Sequence, residues 1–178
     1  RQVTQCDVDA VGASSMAADA EIIALVYAAF SELKLDVVVK VNNRKLLNDL
    51  LDYCGIEKNM QESVILSIDK LEKFGVDVVK NELNEQKIDN AKINKITDAI
   101  NIKGDNKQKI NQLKNLLKNS EGLDEIEQLL SYIKNPGIEA DFDVSLARGL
   151  AYYTGTVIEA VLKNSSIKSS VAGGGRYD

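Results

Sequence analysis

Apolar and polar positions along this chain follow two rhythms, and the changes between them divide it into three segments. Arg1 to Gly12 alternates, with Cys6, Val8 and Ala10 on one face and Gln5, Asp7 and Asp9 on the other, which predicts a strand with one polar side. Ser14-Ser15 then supplies the N-cap of a helix reaching about Leu33, with Ile22, Leu25, Val26, Ala29, Phe30 and Leu33 at helical spacing for the core. Asp36 to Val41 is β-branched and predicts a strand, and Asn42-Asn43 punctuates it before a helix carrying Leu46, Leu47, Leu50 and Leu51.

From about Ile56 to Asn135 the alternation gives way to Lys, Glu, Asn and Leu at helical spacing. Helices are predicted from Glu62 to Phe74, Val76 to Asn84, Asn90 to Ile102, Lys107 to Lys118 and Leu123 to Lys134. Ile110, Leu113 and Leu117, then Ile126, Leu129 and Ile133, give the last two one buried face each. Gly104-Asp105 and Glu121-Gly122 mark breaks, and Asn135-Pro136-Gly137 ends the run with the only proline of the chain. Strand character returns in Ile138 to Val144 and again in Thr156 to Leu162. Asn164-Ser165-Ser166 predicts a turn, and Ile167 to Val171 the returning strand of a hairpin. The expectation is an α+β fold: a core in residues 1–55, a helical insertion in 56–135, and the core resumed in 136–178.

Composition narrows the functions open to it. A chain of 178 residues, 44% apolar, can bury a core. Its formal net charge of -5 argues against a protein that simply coats nucleic acid. Lys92, Lys95, Lys103, Lys107, Lys109, Lys114 and Lys118 leave two readings open, a solvated helix face or a local phosphate-facing surface. Cys6 and Cys54 lie far apart with no CxxC spacing, and histidine is absent, which removes the usual zinc partners and the commonest general base. Reduced cysteines, no metal site and a cytosolic setting are expected. No long apolar run predicts a membrane span. The chain opens on Arg1 rather than methionine, so it is read as a piece of a longer protein.

The candidate chemistry lies in Ser145 to Glu159, a loop feeding a strand. Arg148 stands between an apolar run and glycines, and Tyr152-Tyr153 follow. A guanidinium offers five fixed donors suited to carboxylate or phosphate, and paired phenols add aromatic faces and hydroxyls. The combination fits a small anionic ligand. The alternative is a surface cation beside tyrosines on opposite faces of an ordinary strand. Gly173-Gly174-Gly175 either make a tight turn or let backbone approach a ligand. There is no GxxxxGK[ST] loop.

Arg148-Gly149-Leu150-Ala151-Tyr152-Tyr153-Thr154-Gly155 resembles the histidine-binding loop of histidyl-tRNA synthetases, with Ala151 where the family usually has aspartate. Arg1 to Asp9 is similar to the second half of the class II synthetase motif 2, and Ala172 to Asp178 to the second histidine-site loop. The resemblance implies part of the class II antiparallel sheet with flanking helices and a helical insertion. It also implies that the full-length protein activates histidine with ATP and transfers it to tRNA(His). By the same resemblance, Gln5 and Asp9 receive the histidine ammonium, and Tyr152 and Tyr153 line the pocket with Gly173, Gly174 and Gly175. Arg148 both binds the carboxylate and catalyses its attack on the α-phosphate. Mg is expected with the ATP phosphates, the insertion is expected to contact tRNA, and the protein is expected to be a homodimer. Motif 1, the first motif 2 arginine, the motif 3 arginine and the anticodon-binding region fall outside these residues, so the piece alone is expected to be inactive. Two rival readings are the synthetase-like regulatory subunit of ATP phosphoribosyltransferase and a tRNA-binding or structural module.

Overall fold

A computed structural model describes residues 2, 4–133, 137–167 and 169–178. Among them are eight helices: α1 (Met16–Glu32), α2 (Arg44–Tyr53), α3 (Lys58–Ile68), α4 (Leu71–Phe74), α5 (Val76–Glu85), α6 (Asn90–Ile100), α7 (Asn106–Leu116) and α8 (Glu121–Tyr132). Four strands, β1 (Val37–Asn43), β2 (Ala140–Phe142), β3 (Thr156–Leu162) and β4 (Ala172–Gly175), form one sheet in the order β2-β1-β3-β4. β3 runs antiparallel to both its neighbours, whereas β2 is parallel to β1. The α+β class is as expected. No helix among the described residues is long and apolar enough to cross a membrane.

β1 sorts its side chains by alternation. Val37, Val39 and Val41 are buried on the face covered by α1, α7 and α8, together with Phe142, Ile158 and Ala160. The opposite face carries Lys40, aligned with Glu159 on β3, which is in turn aligned with Gly173 on β4. α1 is capped by Ser15 as expected. Its buried side is rotated slightly from the predicted stripe: Ile22, Val26 and Phe30 of that stripe pack on the sheet core with Ala20 and Tyr27, but the fully buried residues are Met16 and Ile23, and Leu25 and Leu33 face outward. Tyr27 fixes that rotation, because its hydroxyl donates toward the carbonyls of Val37 (2.8 Å) and Glu139 (2.6 Å).

α2 joins two cores. Leu46 and Leu50 belong to the sheet core, while Leu47, Leu51 and Cys54 belong to a second cluster with Val64, Ile65, Ile68, Val79, Leu83, Ile93 and Ile96. The spacing of four within each pair and one between them sets two stripes side by side on one helix. The second cluster is built mostly from α2, α3, α5 and α6. By contrast Ile110, Leu113, Leu123, Ile126 and Leu129 of α7 and α8 pack on the sheet, so burial does not divide at residue 135. Burial pushes the Cys54 thiol up to about 11, leaving it inert at neutral pH.

Several sequence expectations are corrected. Residues 2 and 4–12 form no strand: among the described residues none of the four strands pairs with them, so their alternating faces have no ladder. Asn42-Asn43 does not interrupt β1 but completes it, and Asn43 then caps α2 by accepting from the Lys45 amide at 2.9 Å. The returning strand is not Ile167 to Val171: the glycines themselves pair with β3, from Val157–Gly175 to Ala160–Ala172. Glu121-Gly122 is no break but the first turn of α8, capped by Ser120. The predicted stop at Asn135-Pro136 lies outside the described residues.

Gly122 is where α8 crosses α2. A Cβ there would collide with the Leu46 amide and come 2.9 Å from Leu46 Cα. Alanine is ordinarily the better helix former by about 1 kcal/mol, so a surface site would gain stability. Gly122→Ala is expected instead to destabilise by roughly 1–3 kcal/mol through overpacking. A chemical denaturation midpoint that fails to fall would show that the two helices do not touch there.

Candidate active site

The loop between β2 and β3 is held from both sides before Arg148 is reached. Asn42, fully buried at the end of β1, donates through Nδ2 to the carbonyls of Val144 (3.0 Å) and Leu146 (2.8 Å). Asp143 accepts from the Ser145 amide (3.0 Å) and hydroxyl (2.6 Å), and Lys40 lies 3.3 Å from its other oxygen. Burial would raise the Asp143 pKa, but these bonds and the Lys40 charge outweigh it and hold the carboxyl below its usual range. Leu146 then packs with Tyr153 and Val157, and Ala147 enters the second helical cluster. Gly149 lies against Asp69, the C-cap of α3.

Arg148 is therefore launched from an anchored backbone across the polar face of β3 and β4. Its Nη1 donates to Glu159 Oε1 at 2.8 Å, and its Cζ lies 5.6 Å from the Tyr153 ring centroid. Its Nε is buried without a hydrogen-bond partner among the described residues. The Tyr152 and Tyr153 centroids are 4.6 Å apart at 52°, so the two rings lean on each other rather than pointing to opposite faces of a strand. Tyr153 is 7% exposed and Tyr152 56%. Burial, then the bond to Tyr152, raises the Tyr153 pKa, and the phenol stays a donor at neutral pH.

The glycines make room for this arrangement. A Cβ on Gly173 would collide with Arg148 Nη1, and one on Gly175 would come 2.8 Å from the Tyr153 ring. Beyond them the chain turns back over the site. Arg176 pairs with Asp19 on α1 at 2.5 Å and donates to the carbonyls of Ala13 (3.1 Å) and Ser15 (3.2 Å), while Tyr177 donates to Asp9 at 3.1 Å. These bonds set residues 5–13 above the β4 edge, across an open cleft of about 720 Å³. That volume suits a small-molecule ligand.

One cleft thus brings together Gln5, Asp9, Arg148, Tyr152, Tyr153, Gly173, Gly174 and Gly175. Gln5 donates to Asp7 at 2.8 Å, so Asp7 orients an amide at the rim. Sequence reasoning missed Asn42, Arg176 and Glu159. Glu159 had a legible signal, since it is the one charged residue in β3. Among the described residues no group of three or more Cys, Asp or Glu side chains is placed to hold a metal ion. Of the lysines considered for a phosphate-facing surface, Lys92 donates to the Gly55 carbonyl, Lys109 to Asp141 and Lys114 to Glu127, while Lys95, Lys103, Lys107 and Lys118 are exposed.

A sequence profile described as histidyl-tRNA synthetase matches residues 1–178. A histidine–tRNA ligase of Clostridium tetani is 42% identical over 188 aligned residues, covering 100% of this chain and 42% of that protein. The crystal structure of histidyl-tRNA synthetase from Nostoc sp. PCC 7120 is similar at a TM-score of 0.84 and 34% identity, over 92% of this chain and 40% of that one. An ATP phosphoribosyltransferase regulatory subunit/histidyl-tRNA synthetase from Bacillus halodurans shares the fold at a TM-score of 0.75 and 22% identity, over 94% of this chain and 44% of that one. The chain spans about two fifths of the length of these relatives.

Proposed function

The chain belongs to the histidyl-tRNA synthetase family, and from that premise we propose that the protein carrying it is a histidine–tRNA ligase. It activates histidine with ATP and passes the histidyl group to the 3′ end of tRNA(His). The observation that supports this best is the convergence of the Arg148 cation, the two adjoining phenols of Tyr152 and Tyr153, the Gln5 amide and the Asp9 carboxylate on a single cleft. Asp9 and Gln5 receive the ammonium group, and the tyrosine hydroxyls bond imidazole nitrogens. A pocket built on such bonds rejects isosteres lacking nitrogen, because its polar groups would be left unpaired.

In the activation step a histidine carboxylate oxygen forms a bond to the α-phosphorus while the bond to the pyrophosphate oxygen breaks. No side-chain nucleophile is required. The protein's task is to align two mutually repelling anions and offset the charge developing at phosphorus. Arg148, permanently charged and lining the cleft, does both. Mg enters with ATP on its phosphates, as part of the substrate. The helical segment within 56–135 contacts tRNA, with Lys95, Lys103, Lys107 and Lys118 among its exposed cations. The protein is read as a cytoplasmic homodimer of the class II type.

The test is histidine-dependent ATP–pyrophosphate exchange by the full-length protein, alongside charging of tRNA(His). Both are expected. A folded protein that binds histidine but exchanges no pyrophosphate would instead be a synthetase-like regulatory subunit, and salt-dependent tRNA affinity without histidine binding would mark an RNA-binding module.

A further inference from the structure

Arg148 is aimed by a group outside its own loop. Glu159 lies in the middle of β3, among Thr156, Val157, Ile158, Ala160, Val161 and Leu162, where strand packing alone would favour another apolar residue. Its side chain and that of Arg148 are each only 19% exposed. A carboxylate so far out of water is retained at a desolvation cost that an apolar residue would avoid. The sheet itself does not require the acid, because the aligned Lys40 is already paired with Glu72 and Asp143. What Glu159 does hold is Nη1 of Arg148, in the space left by the missing side chain of Gly173, its partner on β4.

We infer that Glu159 is a positioning residue for the activation step: its carboxylate fixes the Arg148 guanidinium against β4, so that the rest of that cation is presented to the cleft in one orientation. This rests on the reading of Arg148 as the group that binds carboxylate and α-phosphate. The arginine otherwise has four rotatable side-chain bonds, with the Tyr153 ring beneath it and the Asp69 charge nearby. A misplacement of about 1 Å in such a group can cost on the order of 10²-fold in rate.

The groups facing Glu159 are Arg148 from the loop, Lys40 from β1, Asp69 at the end of α3 and Glu72 from α4. Burial raises its carboxyl above the usual range, Arg148 draws it back, and Glu72 and Asp69 push it up again. The folded protein thus holds the Glu159 proton more tightly than the unfolded chain. Its contribution to stability is present below the unfolded pKa and is lost as pH rises through the folded one. At neutral pH, neutralising Glu159 removes a charge the fold does not favour, so a loss of activity there is separable from a loss of fold.

The experiment is a double-mutant cycle in the full-length protein, with Glu159→Gln, Arg148→Ala and their combination, read by pyrophosphate exchange and by thermal unfolding. Glu159→Gln is expected to lower kcat about tenfold, with its unfolding midpoint no lower than that of the unmodified protein, and to cause no further loss once Arg148 is alanine. Exchange within twofold of the unmodified protein, or an equal loss in the Arg148→Ala background, would overturn the positioning role. Should Glu159→Gln fail to fold, Glu159→Asp, which keeps the charge on a shorter stem, carries the same cycle and the same criterion of non-additivity. Absence of exchange from the unmodified protein would overturn the underlying reading of the cleft, and the positioning role with it.

Discussion

Arg148→Ala in the full-length protein is expected to cut histidine-dependent ATP–pyrophosphate exchange by on the order of 10²–10³-fold, the loss typical of removing one preorganised electrostatic group from a site of developing charge. The fall should appear in kcat as well as in kcat/KM, because the cation serves a charge distribution that is fullest at the transition state. The variant also strands Glu159 beside Asp69 and Glu72 on a half-buried face. That crowding favours protonation of Glu159 rather than unfolding, since a buried carboxyl without its cation relaxes by taking up a proton. Arg148→Lys separates the two effects. Lysine keeps the charge near Glu159 but has no planar fork to engage two groups at once, so it should restore stability more fully than activity. A lysine variant with unimpaired exchange would show that charge alone, not the geometry of the guanidinium, is what the site uses.

How far this site was legible from the sequence depends on what kind of information each residue carries. Helical stripes were readable where a whole face is buried, as for Leu46, Leu47, Leu50 and Leu51, because burial and spacing then say the same thing. On α1 the stripe was only partly right: Ile22, Val26 and Phe30 pack on the core, but Tyr27 turns the helix through hydrogen bonds to the carbonyls of Val37 in β1 and Glu139 just before β2, which periodicity does not encode. Alternation in residues 4–12 described two faces but could not supply a partner strand, and no ladder forms among the described residues. β4 was hidden for the opposite reason: a run of glycine has no hydrophobic pattern, and its strand character comes from pairing with Val157 to Ala160. Arg148 and the tyrosines announced themselves chemically. The roles given to Gln5 and Asp9 came from resemblance, and the fold then set both at the same cleft. Asn42 looked like punctuation because an asparagine in sequence carries no sign of whether it is exposed or fully buried beneath a loop.

Gly173→Ala tests the same cation without touching its charge. Gly173 does not have the left-handed φ found at Gly12, Gly55, Gly75 and Gly104, so alanine meets no backbone objection and would by itself reduce the entropy lost on ordering β4. The obstacle is across the sheet. A methyl group at this position would collide with Arg148 Nη1 and lie 2.9 Å from its Cζ, in the space through which the guanidinium reaches Glu159. Either the strand edge or the arginine must shift, and the arginine has the freer side chain. Exchange is expected to fall by on the order of 10²-fold, the scale of a 1 Å misplacement, with the folded state largely retained. Gly174→Ala sets the scale for a methyl group in β4 that meets nothing within 4 Å, and its effect should be much the smaller of the two. The comparison is decisive because both substitutions change the strand's composition equally, and only one reaches Arg148. Similar losses from the two variants would mean that β4 tolerates no side chain at all, and that the vacancy at Gly173 is not reserved for the arginine.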